Sequence, residues 1–171
     1  RQAPNDIDYG DFDGDGDMDI VASSSNEILL FKNDGTGVFS DPTVISDGAD
    51  YNQITIFDVD SDGDLDILAI EARINLVHFS NDGLGITWNP ILITTQTSIR
   101  MAIEPIDSDR DGDLDLLVYG KLPELANEHG IKLMKNDGIG NFNFDKVIAS
   151  GKEYHQRKGL IVNDFNNDGY F

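Results

Sequence analysis

Short apolar segments alternate with acidic and glycine-containing segments along the whole chain. Three of the apolar segments are DIVAS at 19–23, DILAI at 66–70 and DLLVY at 115–119. Runs of this length, rich in Val, Ile and Leu and bounded by Asp, Asn and Gly, are typical of strands rather than helices. The pattern therefore predicts an all-β protein built from short strands.

The acidic segments share one nine-residue pattern, with Asp at positions 1, 3, 5, 7 and 9 and Gly at position 6. The complete copies are DFDGDGDMD at 11–19, DVDSDGDLD at 58–66 and DSDRDGDLD at 107–115, and a truncated copy, DFNNDGYF, occupies 164–171. Ca²⁺ takes about six to eight oxygen ligands, and the Gly permits the sharp turn that points them inward. Carboxylates this close repel one another unless a cation lies among them, so the pattern predicts calcium loops.

The residues after each loop distinguish it from an EF-hand. An EF-hand carries a bidentate Glu at position 12 and continues as a helix. Position 12 here is Ala22, Ala69 or Val118, and a strand-like segment follows. The chain has no Cys, which excludes cysteine-rich calcium repeats.

The loops recur with a period near 50 residues. Their first aspartates fall at 11, 58, 107 and 164, at spacings of 47, 49 and 57 residues. An Asn-Asp-Gly segment suited to a tight hairpin follows each complete loop, at 33–35, 81–83 and 136–138. Each repeat thus predicts strand, calcium loop, strand, variable loop, strand, turn and strand, as in a propeller blade. The approximate repeats are residues 1–47, 48–96, 97–153 and a truncated 154–171.

This combination of acidic loop, apolar strand and Asn-Asp-Gly turn resembles the FG-GAP/VCBS repeat family, whose best-known members form the seven-bladed β-propeller of integrin α subunits. The resemblance spans essentially the whole chain. No copy carries a literal Phe-Gly…Gly-Ala-Pro signature, which places the chain nearer the bacterial VCBS form. The resemblance implies about three and a half four-stranded blades of a larger, seven-bladed ring. We accordingly expect a piece of a longer protein, as the absence of an initiator Met also suggests.

The expected calcium ligands are the side chains at positions 1, 3, 5 and 9, and position 7 resembles the family's backbone-carbonyl ligand. The carboxylate of position 7 is expected to face solvent or to add charge around the site. Three Ca²⁺ sites are predicted, with a weak or empty fourth. The predicted metal-binding residues are Asp11, Asp13, Asp15, Asp17, Asp19, Asp58, Asp60, Asp62, Asp64, Asp66, Asp107, Asp109, Asp111, Asp113, Asp115 and, in the truncated site, Asp164, Asn166 and Asp168.

Several other side chains have structural interpretations. The apolar residues at position 8 of the loops and the aromatic residues after the turns are expected to pack in the core and between blades. His78 is expected to be structural, whereas His129 and His155 are expected in solvent-exposed loops. The position-8 and aromatic residues are Met18, Leu65, Leu114, Phe39, Trp88 and Phe142.

A ligand surface is expected on the face opposite the calcium loops, where integrin propellers of the resembled family place theirs. Two segments on that face, 120–130 and 151–159, are longer than their counterparts and contain cationic and aromatic residues. A protein or glycan ligand is predicted there, besides contacts with the rest of the propeller or with neighbouring chains. The candidate residues are Lys121, His129, Lys152, Tyr154, His155, Arg157 and Lys158.

Composition narrows the function classes. The net charge is −20, but the four loops hold 17 of the 32 acidic residues, and setting these aside leaves a net charge of −3. No broad basic stripe favours nucleic acid, no apolar run favours membrane insertion, and no catalytic constellation is visible. The sequence indicates a calcium-binding repeat module of a secreted or cell-surface protein, serving adhesion, ligand binding or assembly. The alternative is a calcium-stabilised propeller within a carbohydrate-active enzyme such as a polysaccharide lyase.

Overall fold

The computed structural model describes residues 3–95, 102–122, 125 and 128–151. These residues form twelve strands, and among them no helix is long and apolar enough to cross a membrane. The strands are β1 Asp6–Gly10, β2 Asp19–Ser23, β3 Glu27–Phe31, β4 Thr43–Asp47, β5 Tyr51–Phe57, β6 Asp66–Glu71, β7 Asn75–Asn81, β8 Trp88–Thr95, β9 Ala102–Ile106, β10 Asp115–Leu122, β11 Glu128–Asn136 and β12 Phe142–Gly151.

The strands form three four-stranded antiparallel sheets in which neighbours in sequence are neighbours in space. The orders are β1-β2-β3-β4, β5-β6-β7-β8 and β9-β10-β11-β12. In each sheet the acidic loop joins the first two strands and the Asn-Asp-Gly turn joins the last two. The prediction of an all-β fold made of four-stranded repeats is therefore confirmed.

The strand register fixes both ends of every acidic loop. Position 9 of the loop pairs with the residue just before position 1, as Asp19 does with Gly10 and Asp66 with Phe57. Each sheet also has a β-bulge at the same place in its third strand, for example between Ile28 and Leu29. A bulge re-aims the side chains that follow it. The third strand then runs on to the turn beside the loop.

The chain divides into two compact units, residues 1–95 and 96–171. In the first unit the sheets β1–β4 and β5–β8 share one core, because apolar residues of β2, β3, β5, β6 and β7 are buried against one another. Phe12 of the first loop lies in this core and meets Trp88 edge-to-face, with ring centroids 5.7 Å apart. The other core residues include Val21, Ile28, Leu30, Tyr51, Ile54, Ile67, Ala69, Val77 and Phe79.

The opposite face of sheet β1–β4 carries an apolar cavity of about 420 Å³. Its lining includes Ile7, Ile20, Ala22, Leu29 and Phe31. Counting from the acidic loop and from the turn, these positions correspond in the second sheet to core residues that pack against the first sheet. The corresponding residues are Ile54, Ile67, Ala69, Val77 and Phe79.

In the second unit, the hairpin of β10 and β11 is longer than the sequence predicts. Lys121 pairs with His129 across the two strands, so His129 belongs to β11 and is only 8% exposed. Its ring lies 6.1 Å from that of Tyr119. The prediction of an exposed loop was wrong for His129, because strand pairing continues as far as this residue and its side chain is buried on the sheet.

The remaining structural expectations have mixed outcomes. Leu65 and Trp88 pack against the core and His78 lies buried in β7, as predicted. Met18 is 56% exposed, so the prediction of core packing was wrong for it. Phe39 is 42% exposed and lines the apolar cavity described above, so its packing between blades stays a prediction. Leu114 and Phe142 are half-buried.

Replacing Leu30 by Ala should lower the free energy of unfolding by about 2–5 kcal/mol, since the change leaves a cavity between the two sheets of the first unit. Leu92→Ala is the matched control, because Leu92 lies exposed on β8 and its loss should cost less than about 0.5 kcal/mol. Urea denaturation measures both values. Equal losses would contradict the placement of the core.

Candidate metal centre

The first aspartate of each loop organises the loop backbone. Asp11 accepts hydrogen bonds from the backbone N–H groups of Gly14 at 2.8 Å, Asp15 at 3.2 Å and Gly16 at 3.0 Å. The first aspartates of the second and third loops accept backbone N–H groups in the same way. One carboxylate thus closes the turn, and the side chains at positions 3 and 5 come back towards it.

The turn requires left-handed backbone at two positions. The position-6 glycines Gly16, Gly63 and Gly112 have φ of 92°, 97° and 99°. Position 4 is also left-handed where it is not Gly, with φ of 58° at Ser61 and 67° at Arg110. Residues with a Cβ adopt this region at some cost in strain. The same loop conformation therefore forms in all three copies despite different residues at position 4.

The conformation brings the carboxylates of positions 1, 3 and 5 together in each complete loop. One oxygen atom from each of the three carboxylates lies within 4.8 Å of the other two. The groups are Asp11, Asp13, Asp15; Asp58, Asp60, Asp62; and Asp107, Asp109, Asp111.

The position-3 carboxylates include oxygen atoms that need a partner. Asp13 Oδ1 and Asp60 Oδ1 are buried and accept no hydrogen bond from the part of the chain that the structure describes. Burial raises the pKa of Asp60, and the nearby carboxylates of Asp66 and Asp62 raise it further. Buried acceptors without a donor are costly, and a hard cation among carboxylate oxygens removes that cost. The residues at this centre therefore fit Ca²⁺.

The position-9 aspartates tie the loops to the third strand of each sheet. Asp66 is wholly buried; it accepts the Val59 N–H at 3.1 Å and the Asn81 N–H at 2.8 Å. Asp19 and Asp115 are buried in the same manner and accept the equivalent N–H groups. Burial raises the pKa of Asp19, although its hydrogen bonds oppose that shift.

A carboxylate has more lone pairs than these two hydrogen bonds use, so the position-9 side chains keep the capacity to bind a cation. The geometry of the second loop supports this, since a carboxylate oxygen of Asp66 lies within 4.8 Å of one from Asp60.

The position-7 carboxylates lie against the Asn-Asp-Gly turns. A Cβ added to Gly35 would collide with an oxygen of Asp17, and the same holds for Gly83 with Asp64 and for Gly138 with Asp113. These turn glycines also have φ of 77°, 74° and 79°. The expectation that the position-7 carboxylate simply faces solvent was wrong, because it is half-buried against the turn; the alternative, that it adds charge around the site, stays a prediction. The glycine of the turn is thus needed for space as well as for conformation.

The asparagine of each turn joins the turn to the acidic loop. The Asn81 side chain donates to the carbonyl of Leu65 at 3.1 Å and to that of Phe12, in the loop of the preceding sheet, at 2.8 Å. Asn33 and Asn136 donate to the position-8 carbonyls of their own loops. The sequence pattern predicts this asparagine only as part of a tight turn. Its recurrence after each buried aspartate, at spacings of 14, 15 and 21 residues, was the available signal.

The aspartate of each turn caps the turn itself. Asp82 accepts backbone N–H groups from Leu84 at 3.1 Å, Ile86 at 3.2 Å and Thr87 at 3.0 Å. In the first turn, hydrogen bonds from the hydroxyl and the N–H of Thr36 hold the pKa of Asp34 below its usual value. These aspartates are therefore structural acceptors and stand apart from the metal groups.

The third strand also brings a nitrogen atom to each loop. Lys32 Nζ lies 3.1 Å from Asp13 Oδ2, and Lys135 Nζ lies 2.6 Å from Asp109 Oδ2. In the second loop His78 Nε2 lies 3.0 Å from Asp66 Oδ2, without the geometry of a hydrogen bond. None of these three residues was predicted from the sequence to lie at the site. The signal was the place of the lysines, each immediately before the asparagine of its turn.

The other predicted site residues have a simpler outcome. Asp164, Asn166 and Asp168 lie outside the described residues, as do Lys152, Tyr154, His155, Arg157 and Lys158. Lys121 and His129 face each other across β10 and β11. The ligand face therefore stays a prediction.

Gly83→Ala should destabilise the protein more than Gly48→Ala. Both glycines have positive φ, at 74° and 84°, so the conformational strain is matched. Only at Gly83 does the new methyl meet Asp64, because nothing lies within 4 Å of a Cβ at Gly48. Overpacking should add about 1–3 kcal/mol to the loss of unfolding free energy at Gly83. Urea denaturation gives the difference, and equal losses would show that Asp64 does not support the turn.

The metal-free protein should gain stability as the pH falls below neutrality. Burial, followed by smaller contributions, raises the folded-state pKa of Asp8, Asp19, Asp60 and Asp64 above the usual 3.8. In the pH window just above 3.8 the folded chain then binds more protons than the unfolded chain, so the free energy of unfolding rises as pH falls. The lowered pKa of Asp34 makes the free energy of unfolding decrease as pH falls, but only below that window.

Melting temperatures in a calcium chelator, measured from pH 7.5 to about pH 4.5, test this. The melting temperature should rise over that range and should stop rising in saturating calcium, which favours the deprotonated carboxylates. A continuous fall with acidification in the chelator would contradict it.

Comparison with known proteins supports a fold made of repeats. The family model of the FG-GAP-like repeat matches residues 7–69. No curated protein matches the chain significantly. Among solved structures, an Agrocybe aegerita lectin, studied for its specific recognition of non-reducing terminal N-acetylglucosamine, matches with a TM-score of 0.63 and 21% sequence identity.

That match covers 83% of this chain and 37% of the lectin, so the chain spans little more than a third of the lectin's length. At this identity the likeness shows the fold alone. Residues 7–69 are accordingly similar to an FG-GAP-like repeat, and the chain has the fold of a β-propeller repeat module.

Proposed function

We propose that this β-propeller repeat module binds calcium through its acidic loops and serves a secreted or cell-surface protein without catalysing a reaction. The observation that supports the proposal best is the threefold repetition of one arrangement. Each complete loop brings one oxygen from each of three carboxylates within 4.8 Å of the others, and two of the loops contain a buried carboxylate oxygen that no donor of the described residues satisfies. A carboxylate cage that is repeated in three loops is hard to explain as a set of solvated acidic turns.

Calcium suits these loops better than magnesium. Ca²⁺ accepts six to eight oxygens at about 2.3–2.6 Å in flexible geometry, whereas Mg²⁺ needs a small, nearly ideal octahedron. The carboxylates at positions 1, 3, 5 and 9 would hold the ion together with the backbone carbonyl of position 7. Bound calcium would supply the positive charge that lets these aspartates stay ionised in a half-buried place.

The expected affinity supports an extracellular role. Extracellular calcium modules commonly bind with dissociation constants of about 10⁻⁴–10⁻³ M. The millimolar calcium outside cells occupies sites of this affinity, whereas cytosolic calcium does not. A module of this kind would be loaded and stiffened after secretion.

The open apolar face of the first sheet supports a role in assembly with like sheets. Its lining residues are the counterparts of those by which the second sheet packs on the first. An additional four-stranded sheet presenting counterparts of Val21, Ile28 and Leu30 would therefore fit the cavity. We propose such a sheet as its partner, from the same propeller or from a neighbouring chain.

The further ligand of the module is proposed to be a glycan or a protein. The lectin of similar fold recognises a terminal sugar, which makes glycans the first class to screen. The clustered aspartates are already assigned to calcium, so a carbohydrate-active enzyme is the weaker alternative.

Calcium should bind with a stoichiometry of three to the complete loops and should stabilise the fold. At ten times the dissociation constant each site contributes roughly 1.4 kcal/mol, so three sites contribute about 4 kcal/mol to the free energy of unfolding. Titration calorimetry gives the stoichiometry, and melting curves with calcium or chelator give the stabilisation. A melting temperature that is the same in calcium and in chelator would refute the proposal.

Asp62→Ala and Asp47→Ala form the matched pair for this experiment. Both remove one negative charge, but Asp62 belongs to the second carboxylate group, whereas Asp47 is exposed at the end of β4. Only Asp62→Ala should remove one binding site. If both variants weakened binding equally, bulk charge rather than coordination would set the affinity.

A further inference from the structure

At one fixed place near the end of the third strand, the second sheet has a different side chain from the first and third sheets. The residue just before the turn asparagine is Lys32 in the first sheet, Ser80 in the second and Lys135 in the third. Both lysines reach into their acidic loops, and both are 28% exposed, so their charges are only partly screened by water. The three loops are therefore alike in ligands but unequal in neighbouring positive charge.

Lys135 occupies its loop most fully. Its Nζ lies 2.6 Å from Asp109 Oδ2, 2.9 Å from Asp115 Oδ2 and 2.7 Å from Ser108 Oγ. It thus bridges positions 3 and 9, two of the expected calcium ligands. Burial lowers the pKa of Lys135, but its hydrogen bonds to Asp109 and Asp115 outweigh this and raise the pKa to about 12.

Lys32 is placed less centrally. Its Nζ lies 3.1 Å from Asp13 Oδ2 and donates at 2.6 Å to the carbonyl of Leu84 in the turn of the second sheet. Lys32 can therefore keep a partner when Asp13 binds a cation. Among the described residues no ammonium group lies at this place in the second loop, because Ser80 stands where the other sheets have lysine. The imidazole of His78 instead brings its Nε2 to 3.0 Å from Asp66 Oδ2.

We propose that this residue sets the calcium affinity of each loop, and that Lys135 acts as a built-in substitute cation which holds the third loop together when calcium is absent. The inference rests on the proposed calcium binding. An ammonium group that neutralises two ligand carboxylates both occupies their oxygens and repels an entering divalent ion. The affinities then fall in the order second loop, first loop, third loop.

The substitute cation has two linked effects that separate it from a merely structural lysine. A cation that stabilises the empty loop must weaken calcium binding by the same coupling, because the two effects are reciprocal. Removing Lys135 should therefore raise calcium affinity and, in the same variant, lower the melting temperature of the metal-free protein. A lysine that only packs against the sheet would lower the melting temperature without raising the affinity.

The test isolates one loop at a time in the full chain. Asp15→Asn with Asp62→Asn leaves the third loop to bind calcium, and Asp15→Asn with Asp111→Asn leaves the second. In the first background Lys135→Ser, which introduces the residue of the second loop, should tighten calcium binding about tenfold in titration calorimetry. In the second background Ser80→Lys should weaken it by about the same factor.

Lys146→Ser is the charge-matched control, because Lys146 is an exposed lysine of β12 whose nearest carboxylate is Asp145 at 3.6 Å. It should change calcium affinity less than about twofold. Equal effects of Lys135→Ser and Lys146→Ser, or an unchanged second loop in Ser80→Lys, would overturn the inference while calcium binding itself stands. Absence of calcium binding in every variant would instead overturn the proposed function and this inference with it.

Discussion

The structure depends on one buried carboxylate in each sheet. The aspartate at position 9 is 0% exposed in all three sheets and accepts N–H groups both from its own loop and from the asparagine of the turn. A buried carboxylate is costly unless hydrogen bonds and nearby positive charge compensate it. This single group therefore forces the acidic loop, the third strand and the turn into one unit, and it places a demand for positive charge at the point where they meet.

The three sheets meet that demand in different ways. Lys135 Nζ contacts Asp115 directly, Lys32 contacts Asp13 beside Asp19, and the imidazole of His78 lies against Asp66. The same fold thus tolerates a different degree of neutralisation in each loop before any ion enters. The strain at Ser61 and Arg110 indicates that the loop shape is imposed by these surrounding hydrogen bonds rather than by the intrinsic preference of each residue.

The sequence predicted the all-β fold, the four strands of each repeat and the grouping of positions 1, 3 and 5, because these follow from alternation and from spacing within nine residues. The contact of His78 with Asp66 could not be predicted in this way, since it depends on the bulge and register of the third strand; the lysines had a signal in their place before the turn asparagine. Met18 and Leu65 show a second limit. Both occupy position 8, yet Leu65 packs against the first sheet, whereas the equivalent face of the first sheet is open.

Metal loop and core are joined most directly in the first unit. Phe12, at position 2 of the first loop, is buried between the two sheets and meets Trp88 edge-to-face. Its carbonyl accepts the Asn81 side chain, and Lys32 donates to the carbonyl of Leu84. The first loop is thus fixed to the turn of the second sheet by one aromatic contact and two hydrogen bonds. A cation that stiffened the first loop would therefore also strengthen the packing of one sheet on the next, and sheet stacking and cation binding would then be parts of the same equilibrium.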